Sequence, residues 1–185
     1  MNKETEFFNR FCEEARNFKV RSEILIEEVP APQKLAPFAF ALSADVVIGE
    51  SDLATGRFVL LHDPDGQEAW NGKYRAVTFV RSAVESEMQS DPLLTDVAWS
   101  RFLESLENSQ AESEAISGTV TKVSSASYGE LAKNENSAEV EIRASWTPKN
   151  AETLIRHLVA WFKLLEVSAG LTPISNGVTA ITPRR

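Results

Sequence analysis

Two hydrophobic periods alternate along this chain, and the switches between them mark out its elements. Over residues 4–18, Phe7, Phe8, Phe11, Ala15 and Phe18 recur at helical spacing while Glu13, Glu14 and Arg16 take the opposite side. That spacing predicts an amphipathic helix. Residues 22–29 read as a strand, stopped by Pro30 and Pro32, which have no amide hydrogen to extend a ladder. From 38 to 48 the alternation is strict, with Phe38, Phe40, Leu42, Ala44, Val46 and Ile48 sharing one face of a long strand. Residues 49–56 read as a turn. Residues 57–62 follow as a strand that is apolar on both faces (Phe58, Val59, Leu60, Leu61) and therefore central in its sheet. Residues 63–72 hold Asp-Pro-Asp-Gly and Asn71-Gly72, which predict turns, ahead of a strand over 73–83.

Asp91 and Pro92 then open a helix over 91–108, the carboxylate capping amides and the proline sitting where no donor is needed. Strands follow over 115–125 and 137–147. In the second, Val140, Ile142, Ala144 and Trp146 face inward, Glu139, Glu141, Arg143 and Ser145 face outward, and Pro148 ends the run. A last helix over 151–169 stops at Gly170, the usual left-handed cap. The order is α-β-β-β-β-α-β-β-α, without strand-helix-strand alternation. It predicts one α+β domain over residues 1–185, with an antiparallel sheet of about six strands and helices mainly on one face. That order resembles the secretion-chaperone-like α/β sandwich, whose members are dimeric chaperones that bind unfolded client segments.

The last helix raises a question of cover. Leu154, Ile155, Leu158, Val159, Phe162, Leu165 and Ala169 fill one arc, and Trp161 and Leu164 widen it beyond what one sheet face buries. A second copy of the chain would cover the surplus, making Trp161 and Leu164 candidate partner-binding residues of a homodimer. Alternatively, the first helix folds back over that flank.

Composition narrows the partners. Apolar residues at 43% and charged residues at 25% describe an ordinary globular chain with net charge −8. From Glu85 to Glu114 eight acids meet one base, Arg101, which places −7 of that charge in one stretch. Such a surface repels phosphate backbones, so direct nucleic-acid binding is not expected. Cys12 is the only cysteine, which excludes an internal disulfide and fits a reducing, cytoplasmic setting. No apolar stretch reads as a leader or a membrane span.

The densest polar cluster is His62, Asp63, Asp65 and Glu68, with Trp70 just after it. Imidazole and carboxylates suit a divalent cation, but Gly66 falls at the wrong place for a calcium loop, and the run reads as a turn without metal. Trp70 either covers a core edge or anchors a partner. Lys73, Arg75 and Arg81 share strand parity around Val77 and Phe79; their stems are expected to cover apolar surface at a half-exposed strand end. Cys12 and His157 form no expected dyad, and neither a phosphate loop nor a cofactor motif is present, so no catalytic, cofactor or metal residue is assigned.

Residues 28–45 (EVPAPQKLAPFAFALSAD), 53–72 (LATGRFVLLHDPDGQEAWNG) and 141–148 (EIRASWTP) resemble an actinobacterial family catalogued as domain of unknown function 3000. The resemblance brings no activity, cofactor or catalytic residue. It implies a link to RNA processing by association alone, since members are encoded beside a ribonuclease-D-like exonuclease. The residues favour a non-catalytic protein-interaction or adaptor domain. The alternatives are a small-molecule-binding domain or an enzyme with a site near His62 and Asp63, and an accessory factor of RNA processing.

Overall fold

The computed structural model describes residues 3–133 and 136–173, the side chain of Ser86 apart. Its elements are α1 (Lys3–Arg16), β1 (Ile24–Glu28), β2 (Phe38–Ile48), β3 (Ser51–Gln67), β4 (Gly72–Val84), α2 (Leu94–Asn108), β5 (Ser113–Ser125), β6 (Ser137–Pro148) and α3 (Ile155–Ser168). The six strands form one sheet in the order β1-β2-β3-β4-β6-β5, every neighbouring pair antiparallel. This is the expected α+β architecture, with the return of β5 to the outer edge of β6 as the one departure from meander order.

Alternation decides which residues meet the helices. Phe40, Leu42, Ala44 and Val46 of β2, Phe58 and Leu60 of β3, Ala76 and Val80 of β4, and Val140, Ile142, Ala144 and Trp146 of β6 join one core with the apolar faces of α1, α2 and α3. All three helices therefore lie on one side of the sheet. Helix α3 is central, and the arc that exceeds one sheet face is covered from both flanks. Phe18, just after α1, stacks on Phe162 at 5.3 Å, while Phe102 and Leu106 of α2 and Leu164 of α3 line one small shared cavity. Trp161 and Leu164 are each only 1% exposed.

The turn expected over 49–56 is shorter than its glycines imply. β2 and β3 pair up to Ile48↔Ser51, and Gly56 stands in mid-strand, paired with Ala44 and Val80. Its glycine has a packing reason: a Cβ there would lie 2.8 Å from Leu165 Cδ2 and 3.1 Å from Trp161 Nε1, so only a bare backbone lets α3 settle on the sheet. The turn expected over 63–72 is likewise partly strand. β3 runs to Gln67, with an irregularity in its pairing to β4 between His62 and Gln67, and a short 3-10 turn, Glu68–Trp70, completes the link. Turn chemistry is present but spent inside the ladder: the Asp65 amide donates to Asp63 Oδ1 at 3.1 Å, and Gly66 takes a φ of +76°.

The opposite face of the sheet is only half covered. Ala41, Val59, Leu61 and Trp70 form a second, smaller core there, joined by Val29, Ala31 and Ala36 from the β1–β2 connection. That connection and the 3-10 turn shield β2 and β3. Among the described residues, nothing covers the β4, β6 and β5 half in the same way.

Candidate binding site

On the open half, register brings four strands into two cross-strand rows. Arg57 of β3, Phe79 of β4, Arg143 of β6 and Thr119 of β5 are successive partners in one row; Val59, Val77, Ser145 and Ser117 are the next. The two rows line a shallow hollow of about 390 Å³ whose lining, among the described residues, has no acidic side chain. The Arg143 guanidinium lies over the Phe79 ring at 5.1 Å, with one nitrogen 2.9 Å from Glu141. Arg57 donates to the Pro30 carbonyl oxygen at 2.7 Å, which leaves further guanidinium hydrogens uncommitted.

Behind the second row lies Arg75, 9% exposed. One of its nitrogens donates to Ala115 O at 2.9 Å and Thr147 Oγ1 at 3.0 Å; the other donates to Ser145 Oγ at 2.7 Å and Ser117 Oγ at 3.4 Å. Among the described residues no carboxylate lies within ion-pair distance of Arg75 or Arg57. Burial lowers the Arg75 pKa, since desolvation disfavours its charge and no anion offsets that. Ser117 and Ser145 both accept from Arg75 and lie 3.4 Å apart, so one hydroxyl donates to the other and one hydroxyl hydrogen is left to donate elsewhere.

The polar cluster read from the sequence is not assembled. His62 is fully buried on the helix side, stacked on Tyr74 at 4.6 Å, with Nε2 3.3 Å from Thr5 Oγ1 and Nδ1 3.1 Å from Lys73 O. Burial lowers its pKa, while the Tyr74 hydroxyl, raised by burial, donates to Glu4 O at 2.6 Å. Asp63 accepts from Gln67 Nε2 at 3.0 Å, an amide that also reaches Leu35 O on the other side of the sheet. Neighbouring strand positions point apart, so imidazole and carboxylate do not converge. Asp65 and Glu68 are exposed, and among the described residues no group of three or more metal-ligating side chains comes together. Trp70 is 9% exposed, and its carbonyl accepts from the Thr147 hydroxyl.

Cys12 and His157 are likewise separated by role. Burial pushes the Cys12 thiol up to about 11, and His157 Nδ1 accepts from Trp146 Nε1 at 2.9 Å. Of the basic strip, Lys73 and Arg81 are exposed, Arg81 lying 3.9 Å from Glu139, and Arg75 is buried.

Elements, core and open face together cover nearly the full chain, and so does one family match, over residues 4–179. The chain belongs to the family described as protein of unknown function DUF3000. No curated protein and no solved structure matches it. Both the hollow and the strand beside it fall inside the span shared with this family.

That strand, β5, closes the sheet on one side. It is 13 residues long, pairs among the described residues only with β6, and exposes residues 115–119, 121, 122, 124 and 125. Its start is bulged: Ala115 has a φ of +48°, and its carbonyl is the one held by Arg75. Gly118 keeps β5 close to β6 and α2, since a Cβ there would lie 2.3 Å from Arg143 O and 2.8 Å from Trp99 Cζ3. A larger cleft of about 680 Å³ lies between α2, the end of α3 and β4; its lining carries Arg101 and Glu85, one charge of each sign, over apolar walls. It offers no electrostatic preference.

Hydroxyl-bearing positions 117, 119 and 145 were not singled out as site residues from the sequence. Their signal, a Ser/Thr-rich strand of one face, acquires meaning only beside Arg75 and Arg143.

Proposed function

We propose that the protein is a non-catalytic protein-interaction domain whose partner docks as an extended segment along the outer edge of β5. The observation that carries this reading is the edge itself. A strand of 13 residues with a row of backbone donors and acceptors that no other strand of the described residues pairs, no proline, and Glu114 and Lys122 as its only charges is a template for another strand. The opposite edge, β1, is five residues long and less suited to the purpose. Lys122 gives little protection, because its ammonium is turned back to the Gln89 carbonyl at 2.8 Å. Partner affinity would come from main-chain hydrogen bonds, with selectivity from side chains lying across Ser117, Thr119 and Thr121.

The test uses two adjacent substitutions. Along an edge strand, successive amides point alternately to the neighbour and to solvent. Of Thr119→Pro and Val120→Pro, therefore, one breaks a bond to β6 and lowers stability, and the other removes only an outward donor. The outward variant should keep the parent melting temperature and lose any protein that co-purifies with the native chain. Retention of that protein by the outward variant would defeat edge docking.

A further inference from the structure

We propose that the hollow on the open sheet face binds a small organic anion, a flat apolar body carrying one oxyanion group; the site shares Ser117 with the β5 edge but needs no docked strand. Its floor is apolar where Val59, Val77 and Phe79 meet, and a planar ring can lie on it. Its rim is cationic and hydroxylic: Arg57 and Arg143 on one row, Ser117 and Ser145 on the other. In a chain of net charge −8, a concavity lined among the described residues by two arginines and no acid is a local reversal of sign, offset at one point by Glu141, which pairs with Arg143 from outside the hollow.

Arg75 makes the reversal specific. A guanidinium 9% exposed and without a carboxylate partner among the described residues is a buried charge not yet neutralised. Its fork donates to Ser145 Oγ and Ser117 Oγ, which lie 3.4 Å apart, so with one hydroxyl donating to the other, one hydroxyl hydrogen is left for a ligand. An oxyanion accepting that hydrogen would supply the missing counter-charge to Arg75 across one layer of hydroxyls and meet the guanidinium donors of Arg143 that its ion pair with Glu141 leaves over. Arg75 is then a positioning residue, and Arg143, Ser145 and Ser117 are the contacts.

The experiment titrates the full chain with 1-naphthoate and follows backbone amides by two-dimensional NMR. Its controls are neutral 1-naphthamide and inorganic phosphate. The expected result is saturable shifts centred on Phe79, Ser117, Arg143 and Ser145, at least about tenfold weaker for the naphthamide and for phosphate alone. Arg143→Met, at a side chain 56% exposed, should keep the fold and weaken naphthoate by about tenfold, and Ser145→Ala should weaken it as well. Equal binding of acid and amide, shifts centred elsewhere, or shifts that do not saturate would overturn the proposal. If naphthoate fails to bind while Arg143→Met loses the co-purifying protein, the hollow belongs to an acidic group of that partner, and the free-anion reading falls.

Discussion

At the scale of single residues the fold stores two testable commitments. His157 is fully buried, and desolvation takes its pKa down to about 4, against 6.5 for an ordinary histidine. Between those values the unfolded chain binds the proton and the folded chain does not. Stability is therefore fully present above pH 6.5 and is lost as pH falls toward 4, by about 3 kcal/mol from this residue. His62, also lowered by burial, acts in the same direction. Urea unfolding at pH 7.5 and 4.5 should show the loss, and His157→Gln, which leaves Trp146 an acceptor, should shrink it. Gly56 carries the second commitment. Gly56→Ala puts a methyl carbon 2.8 Å from Leu165 Cδ2 and 3.1 Å from the Phe79 carbonyl, and should cost about 1–3 kcal/mol in thermal unfolding.

At the scale of elements, α3 and β5 are each defined by what the fold sets beside them. The long apolar arc of α3 asks for a second copy only if one sheet face is its sole cover; in the fold α1 and α2 flank it, and Leu164 is 1% exposed. Leu164→Ala should thus cost about 2–5 kcal/mol, and Leu164→Glu should unfold the chain instead of releasing a folded monomer, as circular dichroism and sedimentation together would read. β5, the least apolar strand, is the element with its edge open. Hydrogen exchange should separate its amides into two alternating sets, one protected by β6 and one exchanging at near solvent rates; uniform protection would mean that the edge is already paired.

For the whole molecule the decisive feature is that the two faces of one sheet are covered unequally. The helix side holds the main core. The other side depends on the β1–β2 connection and Trp70, packed on Ala41, Val59 and Leu61. Trp70→Ala should lower stability by about 3 kcal/mol, since it opens this smaller core, with the helix-side aromatic packing left intact in near-ultraviolet circular dichroism. A change in partner binding without loss of stability would instead mark Trp70 as an anchor.

The sequence alone determined whatever depends on neighbours close along the chain. The inward residues of β6, the end of α3 at Gly170 (φ +70°) and the antiparallel α+β class were legible because period and cap chemistry are local. Gly56 and the run from Asp63 to Gln67 misled as turns because glycine and Asp-Pro-Asp-Gly serve a close helix contact and a strand irregularity as readily as a reversal of the chain. The tertiary structure alone decided the site. Arg57, Arg75, Ser117 and Arg143 are separated by up to 86 positions, and only strand register sets them on one face; only the outward placement of β5 leaves an edge beside them. Charge and hydroxyl groups acquire a shared field through proximity across strands, and no pattern along the chain records which strands will be neighbours.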